Sequence, residues 1–297
     1  MTPTVVIIVG PTAVGKTAAA VRLARHFKTR IISADSRQCY RELNIGVAKP
    51  SQAELDAVHH YFIDSHSIEH EVNASTFEEL ALQWTDEIFR TSPVAVMVGG
   101  TGLYIRAFTD GLDTIPPVDQ TIRSQIRLDY EEHGLPWLQE ELKKYDPEFY
   151  ARGEMQNPQR VMRALEVRMS TGQSILSFRR DPPDGGRRKR PFDVKIIGLQ
   201  LPKDQLHQRI NDRVDAMIKA GLPEEVKSLE AWRHHNALQT VGYTELFKHF
   251  DGQLTLPEAV TAIKTNTRHY AKRQLTWFRR DLSVRWTEPG TPLETLL

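Results

Sequence analysis

The chain has 297 residues, enough for one large domain or two moderate ones with a sizeable core. Its hydrophobic share of 40% and charged share of 26% are those of an ordinary globular protein, and no apolar run approaches the ~20 residues that would span a membrane. Cys39 is the single cysteine, which excludes a disulfide and a cysteine-based zinc site, and a net charge of +1 gives no global argument for a nucleic-acid partner.

The first apolar run, Val5 to Val9, starts so close to Met1 that no room is expected for a signal peptide. The expectation is a reduced, cytoplasmic protein. That run feeds Gly10-Pro11-Thr12-Ala13-Val14-Gly15-Lys16-Thr17, a complete phosphate-binding loop, followed by a helical pattern over Lys16–His26. A buried strand, a Gly-rich turn and a helix N-terminus aim several backbone N–H groups at one anion. Lys16 adds a point charge, and Thr17 carries the hydroxyl that ligates Mg²⁺ in such loops.

Further strands are expected at Arg30–Ser33, Tyr61–Ile63 and Val94–Val98, with a helix over Thr76–Arg90 opening on Ser75 as N-cap and Glu78 three residues on. Strands alternating with helices predict a parallel sheet covered by helices. From Val118 the rhythm turns wholly helical, over Val118–His133, Pro136–Tyr145 and Pro158–Ser170. The last has Asn157 as N-cap, Pro158 at its first position and Gly172 past its end. Asp181 to Pro191 reads as a loop, then a strand at Val194–Leu201 and a helix at Asp204–Lys219 resume the α/β logic. The fold class expected is therefore α/β, a phosphate-loop core over residues 1–117 and 191–297 with an all-helical insertion at 118–190.

Two charge clusters stand out. Arg187-Arg188-Lys189-Arg190 falls in a Pro/Gly-rich stretch. Lys264, Arg268, Lys272, Arg273, Arg279 and Arg280 lie on the long tail helix Leu256–Arg280 with no acid between them. They read equally well as a polyanion-binding surface or as solvated faces.

The strand Val94–Val98 ends in Gly99-Gly100-Thr101-Gly102, with no acid to organise a Mg²⁺ shell and a water, so plain nucleotide hydrolysis is disfavoured. Asp35 instead follows the second strand, at the carboxyl edge of the sheet where ligands of open α/β folds bind. Repelled by the anion, its carboxylate suits a proton acceptor for an incoming nucleophile; the local sequence also allows it to cap a helix.

Several stretches together resemble one family: Gly10–Thr17; Ala34 to Arg41; Gly46-Val47-Ala48-Lys49-Pro50; Gly99 to Tyr104; Asn157 to Glu166; Val241-Gly242-Tyr243; and Thr267 to Arg279. In that order and spacing the chain resembles the tRNA dimethylallyltransferases of bacterial type, which prenylate N6 of the adenine 3′ to the anticodon. Val47 stands where the family's segment usually has Thr. The resemblance implies dimethylallyl diphosphate as donor, Mg²⁺ as cofactor, the tRNA anticodon stem-loop as partner, and a monomer.

It also implies roles. Gly10 to Thr17 hold the diphosphate, Lys16 and Arg213 stabilise it as it leaves, Thr17 holds Mg²⁺, and Thr101 bonds the reacting end. Asp35 takes the N6 proton, and Gln38 is suited to pair bidentately with the adenine edge. The adenine would have to be flipped out of its stack into a tunnel, for which Tyr104 and Tyr243 are candidate walls. Contact with tRNA is expected from Asp35, Ser36, Arg37, Gln38 and Thr101; from Arg123; from Gln159, Arg160, Val161, Met162 and Arg163; from Val241, Gly242 and Tyr243; and from Arg268, Lys272 and Arg273. No specific role attaches to Arg37. Trp277 and Phe278 are interleaved with the basic residues, and Phe278 reads as core. A dimethylallyltransferase acting on free adenine nucleotides would share the donor site and Asp35, and a small-molecule kinase would share the loop.

Overall fold

The apolar run after Thr4 has both faces covered, which a strand tolerates only in the middle of a parallel sheet. In the computed structural model, which describes residues 2–178 and 190–297, Val5 to Val9 are fully buried in β1 (Thr4–Val9) at the centre of a six-stranded sheet. In chain order follow α1 (Lys16–His26), β2 (Ile31–Ala34), α2 (Gln52–Ala57), β3 (His60–Tyr61), α3 (Ala74–Phe89), β4 (Val94–Gly99) and α4 (Gly102–Asp110). Three helices come next, α5 (Gln120–Tyr145), α6 (Pro147–Arg152) and α7 (Pro158–Thr171). The chain then returns through β5 (Asp193–Leu199), α8 (Lys203–Lys219), α9 (Leu222–Ser228), α10 (Tyr243–Phe250), α11 (Leu256–Phe278) and β6 (Arg285–Thr287).

All strands pair in parallel, in the order β3-β2-β4-β1-β5-β6. The loops after β1, β2 and β4 therefore emerge side by side at one carboxyl edge. Glycine is required twice there. A Cβ on Gly10 (φ +144°) would lie 2.5 Å from the Leu199 carbonyl oxygen, and one on Gly99 would lie 2.1 Å from that of Ala34.

The chain forms two compact units, 1–111 with 188–297 and, separately, 112–187. The helical unit is built on α5, α6 and α7 around Ile126, Leu138, Leu142, Phe149, Val161 and Leu165. The two helices expected over Val118–His133 and Pro136–Tyr145 are present as the two parts of α5, separated by a kink at Gly134, whose φ of 72° no ordinary helical residue adopts. Helix α7 starts and ends as expected, with the Asn157 side chain accepting from Arg160 N–H and Gly172 closing it in the left-handed conformation.

Several local expectations are corrected. Helix α3 is capped by Asn73, which accepts from the Ser75 and Thr76 amides, and not by Ser75. Glu78 is accordingly no capping-box partner; it receives Arg190 Nη2 at 2.7 Å. The sequence does not announce strand β6 or helices α2, α4, α6, α9 and α10. The expected loop Asp181–Pro191 and the basic run Arg187-Arg188-Lys189 lie outside the described residues, save Arg190 and Pro191. Arg190 is structural: it also donates to the Phe108 and Ala107 carbonyls at 2.7 and 2.9 Å. Among the described residues no helix is long and apolar enough to cross a membrane.

Candidate active site

The loop from Gly10 to Thr17 wraps the N-terminus of α1, with Gly15 in the left-handed conformation at the cap. Lys16 Nζ donates to the carbonyls of Gly10 (3.0 Å) and Pro11 (2.8 Å), so its ammonium is enclosed by the loop. That burial pushes its pKa down to about 8; Asp35 pulls it up, and Arg213 pushes it down. Arg213, on α8, donates to Thr12 Oγ1 at 3.4 Å. Its guanidinium is also weakened as an acid-base holder of charge by burial first and Arg209 second. Two confined cations at one loop are costly unless an anion joins them.

Asp35 follows β2 and faces this cluster. Its Oδ1 accepts from the Arg37 amide at 2.9 Å and the Gln38 amide at 3.3 Å, which realises the capping alternative as a short turn. One carboxylate oxygen is thereby fixed, leaving Oδ2 for chemistry. Thr101, after β4, accepts from Ser36 N–H at 3.0 Å and donates to Ser36 Oγ at 3.3 Å, tying the two strand ends together.

Two cavities meet here. One, of about 320 Å³, is lined by the phosphate loop with Lys16, Thr17 and Ser33. The other, of about 500 Å³, is lined by Val241, Gly242, Glu245, Asn266 and Arg273. Thr12, Asp35, Arg213 and Tyr270 line both. The Asp35 carboxylate thus stands where one compartment gives onto the other.

Gln38 does not have the freedom expected of it. Nε2 donates to the Val47 and Ala48 carbonyls (3.2 and 3.0 Å), and Oε1 accepts weakly from Ser33 at 3.4 Å. Both amide hydrogens are used, so Gln38 offers a base only an acceptor, and bidentate pairing is not available in this arrangement. The loop holding it is fixed in turn by Glu225, which accepts from Ile45 N–H (2.7 Å), Gly46 N–H (3.1 Å) and Tyr243 Oη (2.6 Å).

Other expectations are corrected by burial. Tyr104 stacks on Phe77, and Tyr243 is fully enclosed with its ring against Gly46; neither walls a tunnel, and the Tyr243 side chain presents nothing to RNA. Tyr270 lines both cavities. Its hydroxyl is held in the protonated form by burial and by the nearby Asp35. Val161 and Met162 are buried in the helical core, so their side chains do not face a partner, whereas Gln159 and Arg160 are exposed beside them. Arg123 and Arg163 both reach Glu166, at 3.6 and 3.4 Å. On α11, Lys272 and Arg273 are exposed and Arg268 donates to Thr265. Lys264 pairs with Asp215, while Trp277 packs on Gly102 and Phe278 is core.

Cys39 is buried, and its thiol is pushed up to about 12 by that burial, so it is no nucleophile. Sequence reasoning missed Gln274, Glu225 and Tyr270. Gln274 and Tyr270 sit within the tail stretch quoted above, but their basic neighbours drew the reading towards RNA.

A parallel sheet whose phosphate loop opens onto a second cavity, with a carboxylate between, defines a phosphate-loop α/β enzyme that brings an anionic donor to a second substrate. Residues 38–281 match the family model described as IPP transferase. The tRNA dimethylallyltransferase of Cytophaga hutchinsonii is 46% identical over 96% of this chain and 93% of its own length, and that of Christiangramia forsetii 47% over 95% and 92%. The chain belongs to the IPP transferase family. Among solved structures, the tRNA isopentenylpyrophosphate transferase of Bacillus halodurans superimposes with a TM-score of 0.70 at 36% identity, covering 99% of this chain and 93% of its own. A eukaryotic dimethylallyltransferase acting on tRNA, at 24% identity and a TM-score of 0.79, shares the fold.

Proposed function

We propose that this enzyme transfers a dimethylallyl group from dimethylallyl diphosphate to N6 of the adenine 3′ to the anticodon in tRNA, releasing diphosphate. The observation that carries this reading is the placement of Asp35 on the wall shared by the two cavities. The phosphate-loop cavity takes the donor, and the larger one takes a flipped-out base.

The adenine amino group is a poor nucleophile because its lone pair is delocalised into the ring. As N6 bonds to the allylic carbon, the carbon–oxygen bond to diphosphate breaks, and the oxygen keeps the electron pair. The N6 proton passes to Asp35 Oδ2, while Oδ1 stays held by the Arg37 and Gln38 amides. Negative charge grows on the leaving diphosphate, opposite Lys16 and Arg213, which are already confined and need no reorganisation. Gln38 Oε1 is suited to accept from an exocyclic amino group and to oppose a carbonyl in the same position, which favours adenine over guanine.

Mg²⁺ fits the donor set in one way. Among the described residues no group of three or more His, Cys, Asp and Glu could hold a metal. The Thr17 hydroxyl in the donor cavity suits an ion bound mostly by diphosphate oxygens and water. Bound there, Mg²⁺ would neutralise leaving-group charge. Phosphate contacts with the anticodon stem-loop are assigned in the helical unit to Arg160 and Gln159 on α7, and separately in the core unit to Lys272 and Arg273 on α11. The enzyme acts as a cytoplasmic monomer.

The test offers labelled donor to an unmodified stem-loop, to AMP and to ADP in parallel. Label on the stem-loop alone is expected. Label on AMP or ADP with untouched RNA would replace tRNA by a free nucleotide as the acceptor.

A further inference from the structure

Gln274 lies on α11, is only 6% exposed, and has both ends of its amide engaged. Oε1 accepts from the Thr12 amide of the phosphate loop at 2.8 Å, and Nε2 donates to the Gly100 carbonyl at 3.0 Å. The orientation is unambiguous, because a backbone N–H only donates and a carbonyl only accepts. A Cβ on Gly100 would lie 2.0 Å from Nε2, so the amide lies directly against the turn after β4. The next residue, Thr101, receives Ser36 N–H, and Ser36 adjoins Asp35.

A single planar amide therefore spans the loop that holds the donor and the turn that holds the base-bearing segment. It also takes the Thr12 N–H away from any bound anion, so the diphosphate must be cradled by the remaining loop amides, Lys16 and Arg213. The long α11 presents Lys272 and Arg273 to solvent, two residues and one residue before Gln274.

We propose that Gln274 is a positioning residue, which sets the distance between the leaving diphosphate and the Asp35–Thr101 pair. The proposal rests on the transfer reaction proposed above. Two independent loops must hold a donor carbon and an attacking nitrogen in contact, and a misplacement of about 1 Å costs roughly 100-fold in rate. Gln274 touches neither reacting atom and acts through Thr12 and through Gly100, the neighbour of Thr101.

Two substitutions test this in the full-length protein. Gln274→Met keeps length and loses both bonds. It should lower kcat by ~10- to 100-fold, with KM for the stem-loop and affinity for dimethylallyl diphosphate changed by less than about threefold. Combined with Thr101→Ala, it should lower kcat by less than the product of the two single effects, because both act through one connected segment. Gln274→Glu keeps an acceptor for Thr12 but sets a carboxylate against the Gly100 carbonyl. Its kcat relative to wild type should rise as pH falls, since a protonated carboxyl restores the donor. A folded Gln274→Met with wild-type kcat, multiplicative effects in the double variant, or a flat relative pH profile would each overturn the clamp. Should Gln274→Met fail to fold, the pH profile of Gln274→Glu decides alone. A wild-type enzyme that labels no RNA would instead refute the reaction on which the clamp rests.

Discussion

Raising the pH should weaken donor binding through one identified group. In the unliganded protein the Lys16 pKa is pushed down to about 8, because burial strips water from its ammonium and Arg213 repels it, against the upward pull of Asp35. A bound diphosphate adds several negative charges at that ammonium and raises its pKa, so the complex keeps the proton that the free enzyme has lost. Below about pH 8 both states are protonated and affinity is flat. Above it, binding takes up a proton, and affinity falls by up to tenfold, about 1.4 kcal/mol, for each pH unit. The sign for folding is opposite. Lys16 has a folded pKa of about 8 against 10.5 for a free lysine, so the unfolded chain binds more protons between those values, and this group's contribution to stability rises with pH there. Calorimetric titration with dimethylallyl diphosphate, in the absence of RNA, measures both affinity and proton uptake. Between about pH 7 and about pH 9.5 the wild type should show the break, and Lys16→Met should bind more weakly with no break. A wild-type affinity independent of pH across that range, or a break that survives in Lys16→Met, would refute the reasoning.

The remaining predictions concern stability, RNA and metal. Arg190→Met removes the 2.7 Å ion pair to Glu78 and the bonds to the Phe108 and Ala107 carbonyls, and should cost at least about 2 kcal/mol in urea denaturation; a loss under ~1 kcal/mol, as for a surface pair, would contradict the structural role. Arg160→Ala removes an exposed cation and should weaken stem-loop binding, lowering the slope of log affinity against log salt by about 0.7. An unaltered slope would move the RNA surface elsewhere. Thr17→Ala should raise the Mg²⁺ concentration for half-maximal transfer several-fold, and an unchanged magnesium titration would remove Thr17 as a ligand.

What could be read from the sequence followed the range of the interaction. The phosphate loop is a contiguous device, so eight adjacent residues display it. Asp35 was legible because a strand end followed by polar residues marks the carboxyl edge of a parallel sheet. The helical unit showed itself as a change from strand–helix alternation to unbroken helical periodicity. Contacts between distant segments leave no such trace. Gln274 meets Thr12 across 262 positions, Glu225 meets Ile45 across 180, and Arg190 meets Glu78 across 112. Each reads locally as a polar residue on a helix or loop. Tyr243 looked functional because of its motif, yet its ring is core and only its hydroxyl reports on the loop that holds Gln38. Strand β6, of three residues, is too short for alternation to register. At α3 the cap was misplaced because Asn73 and Ser75 are both good caps two residues apart, and only the backbone chooses.

The central claim is that Asp35 accepts the N6 proton where the two cavities meet. Single-turnover transfer from a preformed complex of enzyme, Mg²⁺, dimethylallyl diphosphate and stem-loop, followed by mass spectrometry of the RNA, tests it in wild type and Asp35→Asn. The amide keeps an oxygen for the Arg37 and Gln38 N–H groups but cannot take a proton, so the chemical step should slow by ~10²–10⁴-fold with stem-loop affinity little changed. Transfer at the wild-type rate by Asp35→Asn would contradict the account.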